Sequence, residues 1–388
     1  MESAEFILDA QALVIRAKGE ARIVAQPLPC LSDDYILVRT TAVAINPTDW
    51  KHLDQVNVGH TAGCRLGFDY AGIVVALGSA VKTGTLSVGD RVYGFCHGGR
   101  KQDGTFGEYL TAKALLQRRI PSNLSDIQAA SLGCNLLAVC QGLYQRLGIP
   151  LPSAERCPDI SVTKSQPLLI YGGTTASGLL GIQFAKLSGC FPIVVTCSPD
   201  HNDYVYSLGA NLCVDYHQRD CARQIQQFLS SKKIALELAW DCIGSAHSAR
   251  VCAQVLDHNG FNMENGMKGI RHGHGPLYAS LMPVPLNLLQ RINGAIENAG
   301  RCFGYTAFGE EFLKDGVVVP ASQEDLEYAA NFMSLAQDLL AHGRIIPIRI
   351  DVNRGGSGLP GVMNGIDEAR RGKVRAVKLV YTMDDCGQ

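Results

Sequence analysis

A glycine-rich turn with three hydroxyl side chains is the stretch whose residue types and spacing point most directly to chemistry. It runs from Gly172 to Gly178, after an apolar run at 168–171 and before helically spaced apolar residues at 179–187. A further apolar run at 191–196 completes the order strand, turn, helix and strand. Thr174, Thr175 and Ser177 can donate to phosphate oxygens. Because such a turn lets backbone N–H groups reach a diphosphate, it predicts a dinucleotide site. A purely structural turn is the alternative.

The end of the second strand bears on the kind of dinucleotide. An NAD site usually has an acidic residue there that accepts a hydrogen bond from the ribose 2′-hydroxyl. Here the strand ends in Thr196-Cys197-Ser198-Pro199, and the first acid, Asp200, comes only after the turn. Ser198 and His201 can instead donate to a 2′-phosphate, and Tyr216 follows the next strand. This pattern favours NADPH.

Length and composition narrow the class of protein. The 388 residues suit two domains rather than one core, and 35 basic against 36 acidic side chains give no case for nucleic acid or an anionic membrane. No signal or spanning segment is apparent, so a cytoplasmic protein is expected. The 14 cysteines are dispersed without a Cys-x-x-Cys spacing, which favours buried free thiols over zinc or disulfides.

The apolar patterns predict how the chain is organised. Residues 1–134 are β-rich, with strands at 12–15, 36–45, 71–77 and 91–95. Residues 135–340 alternate strands near 212–215, 236–241, 277–281 and 302–306 with helices near 219–231, 245–256 and 323–342. This alternation predicts a doubly wound parallel sheet. Residues 341–388 return to the first domain, with a helix near 361–372 and a last strand at 376–381.

Four motifs in the β-rich part carry a family resemblance: AINPTDWK at 44–51, GFDYAG at 67–72, VGDRVYGF at 88–95 and GTFGEY at 104–109. With the nucleotide unit they resemble the medium-chain dehydrogenase/reductase superfamily. This implies an α/β fold with a Rossmann domain and a GroES-like catalytic domain. The zinc branch carries a Cys near position 46 and Gly-His-Glu near position 67. This chain has Asn46 and Gly67-Phe68-Asp69, so no metal is expected.

Within the zinc-free branch, the chain is similar to fungal trans-acting enoyl reductases of the lovastatin type, stand-alone partners of iterative polyketide synthases. The likeness rests on AINPTD at 44–49, LGIPLP at 147–152, YGGTTA at 171–176, TCSP at 196–199, VDY at 214–216 and AWDCI at 239–243. It implies NADPH as cofactor, a polyketide synthase or PKS-NRPS with its acyl carrier protein as partner, a polyketide acyl substrate, and a monomer.

The same resemblance implies the site residues. Cofactor contacts are expected at Thr48, Asp49, Trp50, Lys51, Thr174, Thr175, Ala176, Ser177, Ser198, Pro199, Asp200, His201 and Tyr216. Substrate contacts are expected at Ala138, Val139, Cys140, Gln141, Gly142, Leu143, Tyr144, Gln145, Cys302, Phe303, Gly304 and Tyr305. Relatives usually have a Ser-Thr pair at the positions of Leu137 and Ala138.

The expected reaction is the reduction of an α,β-unsaturated thioester. Hydride adds to the β-carbon, charge moves to the thioester oxygen, and the α-carbon is protonated. Lys51 is the candidate for stabilising that oxygen; the alternative is a lysine that only binds the cofactor. Two other functions stay open, a stand-alone quinone or enal reductase and a non-catalytic NADPH-binding partner of a synthase. Residues 257–275 are predicted to be a poorly ordered insert with no recognisable metal-ligand spacing.

Overall fold

The computed structural model describes residues 9–54, 62–153, 166–257, 275–314 and 316–383. The insert predicted at 257–275 falls almost wholly outside these ranges. The strands are β1 (Asp9–Ala17), β2 (Glu20–Pro27), β3 (Tyr35–Ala44), β4 (Asp69–Leu77), β5 (Arg91–Phe95), β6 (Tyr109–Lys113), β7 (Arg118–Arg119), β8 (Gln166–Tyr171), β9 (Cys190–Thr196), β10 (Leu212–Val214), β11 (Leu238–Asp241), β12 (Leu277–Ser280), β13 (Ala299–Arg301), β14 (Phe312–Lys314), β15 (Val317–Val319), β16 (Ile350–Val352) and β17 (Lys378–Thr382).

The helices alternate with these strands mainly in the second half of the chain. They are α1 (Pro47–Asp54), α2 (Asp126–Ala130), α3 (Gly133–Val139), α4 (Ala176–Leu187), α5 (Asn202–Leu208), α6 (Cys221–Ser231), α7 (Ala246–Val255), α8 (Leu286–Gln290), α9 (Gln323–Ala341) and α10 (Gly358–Arg370). A π-helix spans Cys140–Arg146, and 3₁₀ turns span Ala114–Leu116, Pro199–His201 and Gly304–Phe308.

The chain forms two compact units. The first contains residues 1–136 and 305–388, and the second contains residues 137–304. The predicted boundaries placed residues 305–340 in the nucleotide domain, so the structural division differs there. Helix α9 belongs with the first unit because it is hydrogen-bonded to it. The carbonyl groups of Ala330 and Leu340 accept hydrogen bonds from the side chains of Arg118 and Asn123.

The second unit is built on a six-stranded parallel sheet with the order β10-β9-β8-β11-β12-β13. This is the strand order of a dinucleotide-binding sheet, whose order reverses beside its first strand. The predicted fold class is confirmed. The central strand β8 is buried along its last four residues, because α4 and the neighbouring strands cover it. Gly142 and Gly181 both lie against the indole of Trp240, where an added Cβ would collide with the ring.

The first unit contains a seven-stranded sheet in which β16-β17-β3-β4-β5-β7 are neighbours and β6 pairs with β3. Separate hairpins are formed by β1 with β2 and by β14 with β15. The C-terminal strand β17 lies antiparallel to β3, with Val380 opposite Ala44, as the predicted return to the first domain requires. The late strands β16 and β17 therefore complete one side of a sheet whose other strands all come from the first 119 residues.

One predicted element is wrong. Residues 302–306 were expected to form a strand, but the strand is Ala299–Arg301, and Gly304–Phe308 is a 3₁₀ turn. Strand β13 is positioned by pairing, since Tyr278 of β12 lies opposite Ala299. The apolar residues at 302–308 are instead used in a turn, which local hydrophobicity could not distinguish from a strand.

Candidate active site

The glycine turn between β8 and α4 has the close packing that a diphosphate-binding turn needs. Gly172 has φ +81°, a conformation that favours glycine, and a Cβ on Gly173 would collide with the side chain of Val195. A Cβ on Gly178 would lie 2.5 Å from the carbonyl oxygen of Gly172. The three glycines therefore place no side chain over the backbone at the start of the 12-residue helix α4. This cradle fits a dinucleotide diphosphate.

Thr175 has a defined structural role in this turn. Its hydroxyl donates to the carbonyl of Gly172 at 2.8 Å and accepts the N–H of Gly178 at 3.0 Å, so it is the N-cap of α4. Thr174 and Ala176 are half-buried beside it, whereas Ser177 is buried. Thr174, Thr175 and Ser177 were predicted to donate to phosphate, and of these three the hydroxyl of Thr175 stabilises the turn itself. Direct phosphate contact by the others stays a prediction.

The predicted ribose-binding residues lie at the carboxyl ends of neighbouring strands. Ser198, the second residue after β9, is the N-cap of the 3₁₀ turn Pro199–His201, and Pro199 and Asp200 are exposed. The N–H of Cys197 donates to the carbonyl of Val214 at 3.1 Å, which keeps the end of β10 alongside. The ring of Tyr216 lies 6.3 Å from that of Tyr171, the last residue of β8.

Most of the two predicted substrate segments lie together in the second unit. Ala138 and Val139 end α3, and residues 140–145 fall in the π-helix, a rare form that often occurs at functional sites. Gln141 Nε2 donates to the carbonyl of Phe303 at 3.3 Å. A Cβ added to Gly304 would lie 3.0 Å from Leu137 Cδ2. The side chain of Leu137 therefore packs closely against the backbone of Gly304, by apolar contact.

Residues Thr48 to Lys51 form the first turn of α1 in the first unit. The carboxylate of Asp49 accepts the N–H of Asn46 at 2.6 Å, and its Oδ1 is buried with no hydrogen-bond partner in the part of the chain that the structure describes. Burial raises the pKa of Asp49 to about 8. Burial also lowers the pKa of Lys51, whose Nζ lies 5.6 Å from the ring of Trp50.

A buried charge network lies directly behind this turn. Lys378 Nζ, on a side chain 4% exposed, lies 3.1 Å from Asp69 Oδ2 and donates to the side-chain oxygen of Asn46. Asn46 Nδ2 donates to the same carboxylate at 2.8 Å, and Asp69 Oδ1 accepts the N–H of Cys134. Lysine, aspartate and asparagine thus satisfy one another where water is excluded. Sequence reasoning did not predict Lys378, because its partners are more than 300 residues away.

A second polar cluster surrounds Tyr305, which belongs to the first unit. Its hydroxyl lies 3.1 Å from Thr48 Oγ1 and 2.7 Å from His52 Nε2, and Lys314 Nζ lies 3.1 Å from the same ring nitrogen. The ring of His97 lies 4.6 Å from that of Tyr305. The sequence prediction named Thr48 and Tyr305 but missed His52, His97 and Lys314. The four-residue helical spacing of Thr48 and His52 is the signal that indicates His52.

Comparisons with known proteins agree with this architecture. The alcohol dehydrogenase GroES-like domain family matches residues 32–122, and the zinc-binding dehydrogenase family matches residues 176–290. The trans-enoyl reductase resD of Aspergillus sclerotiorum is 42% identical over 381 residues, covering 96% of this chain and 99% of that protein. This chain belongs to the trans-enoyl reductase family. The trans-enoyl reductase TOXD of Cochliobolus carbonum is 45% identical, covering 83% of this chain and 98% of that protein.

Solved structures show the same fold as this trans-enoyl reductase family member. The CurK enoyl reductase superposes with a TM-score of 0.71 at 15% identity, covering 97% of this chain and 99% of that chain. The quinone oxidoreductase of Coxiella burnetii superposes with a TM-score of 0.66 at 21% identity, covering 97% and 100%. At these identities the likeness concerns the fold alone.

Within the described ranges, histidine, cysteine, aspartate and glutamate form no group of three or more that could hold a metal ion. Among the helices that the structure describes, none is both long and apolar enough to cross a bilayer.

The network of Lys378 predicts a large effect of a single substitution on stability. Lys378→Met leaves the fully buried carboxylate of Asp69 without its cation, so urea denaturation should show a loss of about 3–5 kcal/mol. The double variant Asp69→Asn/Lys378→Met should recover part of it. Lys373→Met is the control, because Lys373 forms an exposed ion pair with Glu368 and should change stability by less than about 1 kcal/mol. Equal stabilities of the two single variants would contradict this account.

Proposed function

We propose that this protein is a trans-acting enoyl reductase that uses NADPH to reduce α,β-unsaturated polyketide thioesters on a partner polyketide synthase or PKS-NRPS. The observation that carries the proposal is the 42% identity to a trans-enoyl reductase over 96% of the chain. A cytoplasmic location and the monomeric state expected from the sequence belong to the same proposal. The features of each unit support distinct parts of it.

The second unit supports a nicotinamide dinucleotide as the cofactor. Its parallel sheet has the dinucleotide-binding strand order, and Gly172, Gly173 and Gly178 form a turn with no room for side chains. When bound, a reduced nicotinamide supplies a hydride to the acceptor carbon. Residues 174–177 would hold the diphosphate at the N-terminus of α4, whose dipole favours negative charge.

The end of β9 supports NADPH over NADH. Ser198 is the second residue after the strand and the N-cap of the 3₁₀ turn Pro199–His201, in which Asp200 is exposed. No carboxylate therefore follows β9 directly, where an NAD site would place one. Ser198 and His201 can donate to a 2′-phosphate, and Tyr216 can cover it from the end of β10.

The first unit supports a role for Lys51 in polarising the substrate. Lys51 lies in the first turns of α1, in the segment proposed to contact the cofactor, and it is half-buried. Partial burial strengthens the interaction of its charge with a nearby oxyanion, because less water screens it. We assign it to the thioester oxygen, which gains negative charge as hydride adds to the β-carbon.

A substrate comparison tests the function itself. The purified protein should oxidise NADPH with crotonyl-pantetheine, and faster with the same acyl group on an acyl carrier protein, while menadione should remain almost unreduced. Rapid quinone reduction with inert thioesters would identify a quinone reductase. Binding of NADPH and synthase without NADPH oxidation would identify a non-catalytic partner. Either result contradicts the proposal.

The role of Lys51 predicts a change in turnover. Lys51→Ala should lower kcat at saturating NADPH by about 10²–10³, because one donor to the developing oxyanion is lost. NADPH affinity, measured by fluorescence titration without substrate, should change by less than tenfold. Lys82→Ala, at an exposed position, is the matched control and should behave as wild type. Weakened NADPH binding with unchanged kcat would show that Lys51 only binds the cofactor.

Cofactor choice is tested at Ser198. Ser198→Asp places a carboxylate where the 2′-phosphate is proposed to bind, so the Kd for NADPH should rise by about 100-fold, equivalent to about 2.8 kcal/mol. The Kd for NADH should stay the same or fall. Ser230→Asp, which adds the same charge at an exposed position of α6, should leave both values unchanged. An unchanged preference in Ser198→Asp would place the 2′-phosphate elsewhere.

A further inference from the structure

Two arginines of the second unit lie where the two predicted substrate segments meet. Arg146 directly follows the first segment as the last residue of the π-helix, and Arg301 directly precedes the second as the last residue of β13. Arg146 Nε donates to the carbonyl of Arg301 at 2.9 Å. With the hydrogen bond from Gln141 to the carbonyl of Phe303, this contact brings the ends of both segments together.

The two side chains are held in place by contacts of their own. The stem of Arg146 lies against β13 at Gly300, where an added Cβ would be 3.2 Å from the Cβ of the arginine. The guanidinium carbon of Arg301 lies 4.1 Å from the centre of the Phe303 ring, as in a cation–π contact. Both guanidinium groups therefore keep their terminal nitrogens for a ligand while their stems are fixed.

The positive charges of this pair are not compensated in the part of the chain that the structure describes. Both residues are exposed, and no carboxylate within those ranges forms an ion pair with either guanidinium. Ion pairs with a carboxylate are formed by Arg91, Arg100, Arg119, Arg354 and Arg370. Two neighbouring cations repel each other, so an anion that contacts both is held more strongly than by one alone.

The charge of Arg146 acts on the second predicted segment as well. Burial raises the pKa of the Cys302 thiol to about 12, and the nearby guanidinium of Arg146 opposes that rise. An anion bound by the arginine pair therefore lies beside residues that are predicted to contact the substrate.

A phosphate ester fits the donors of the pair. Guanidinium groups donate parallel N–H bonds to two oxygens of one phosphate, and they stay charged throughout the neutral pH range. In the proposed reaction the acyl group is carried on the phosphopantetheine arm of the partner's acyl carrier protein. The phosphodiester is the only charged group of that arm, so two arginines can recognise it whatever the acyl chain.

We infer that Arg146 and Arg301 form an anion site for the phosphodiester of the carrier's phosphopantetheine arm. This rests on the proposed function and adds how the partner's substrate is held. The site contributes affinity only, because no bond of the substrate forms or breaks at the arginines. Its effect should therefore appear in KM and in binding, and not in the rate of the chemical step.

Two substrates that differ only in the phosphate test the site. Wild type should use crotonyl-phosphopantetheine with a KM about tenfold or more below that of crotonyl-pantetheine, as charge-assisted hydrogen bonds to one anion predict. Arg146→Gln/Arg301→Gln should raise the KM for crotonyl-phosphopantetheine to that for crotonyl-pantetheine, with kcat unchanged for both. Equal KM values in wild type, or an equal rise for both substrates in the double variant, would overturn the inference.

A second double variant is the matched control. Arg223→Gln/Arg250→Gln removes two exposed arginines, on α6 and α7, outside both predicted segments. It lowers the net charge by the same amount and should leave both KM values unchanged. The same loss of preference for the phosphorylated substrate in this control would show a general effect of surface charge, and the site would be wrong.

Crotonyl-carrier protein identifies which part of the partner the arginines bind. Arg146→Gln/Arg301→Gln should raise its KM by a factor similar to that for crotonyl-phosphopantetheine, because both substrates carry the phosphate. A rise with the carrier and none with crotonyl-phosphopantetheine would assign the arginines to acidic side chains of the carrier. That result would contradict the phosphate site.

Binding without turnover separates this site from the proposed function. In ¹H–¹⁵N NMR spectra of the cofactor-free protein, phosphopantetheine should shift the Nε–H resonances of Arg146 and Arg301, and pantetheine should not. Unshifted resonances would exclude the site, whatever the enzyme reduces. If the proposed function fails instead, wild type oxidises no NADPH with any enoyl thioester, while the NMR difference between the two ligands remains.

Discussion

The buried ion pair of Lys378 and Asp69 is the interaction on which the first unit depends. Burying either charge alone is strongly unfavourable, whereas the pair with Asn46 satisfies both groups. It joins the start of β4, the start of α1 and the C-terminal strand. The turn that presents Thr48 to Lys51 is therefore correctly placed only after the last part of the chain has returned to the sheet.

The polar groups of the first unit are tuned mainly by loss of water. Burial lowers the pKa values of both His52 and His97 to about 3, so both rings are neutral and can accept hydrogen bonds. Burial also raises the pKa of Asp49. Such groups differ from the surface charges of the chain, because their protonation depends on what surrounds them.

The glycine turn of the second unit depends on a different physical factor, the close approach of backbone segments to one another. Gly173 and Gly178 let strand, turn and helix pack without intervening side chains, and Thr175 closes the turn through its own hydroxyl. Gly142 and Gly181 let the π-helix and α4 approach Trp240 in the same way. Backbone N–H groups and the dipole at the start of α4 can then attract a negatively charged group, a role that charged side chains have in other sites.

Local sequence determined the strand–turn–helix–strand unit, the parallel sheet and most strand and helix positions, because these follow from the spacing of apolar residues and glycines within short windows. The four motifs at 44–51, 67–72, 88–95 and 104–109, together with the nucleotide unit, carried the resemblance to the superfamily. Tertiary structure alone decided that α9 belongs to the first unit and that residues 304–308 form a turn. It also decided that Lys378 neutralises Asp69 and that His52, Lys314 and Tyr305 meet. These partners are separated by up to about 300 residues, and the burial that sets their chemistry exists only in the folded chain.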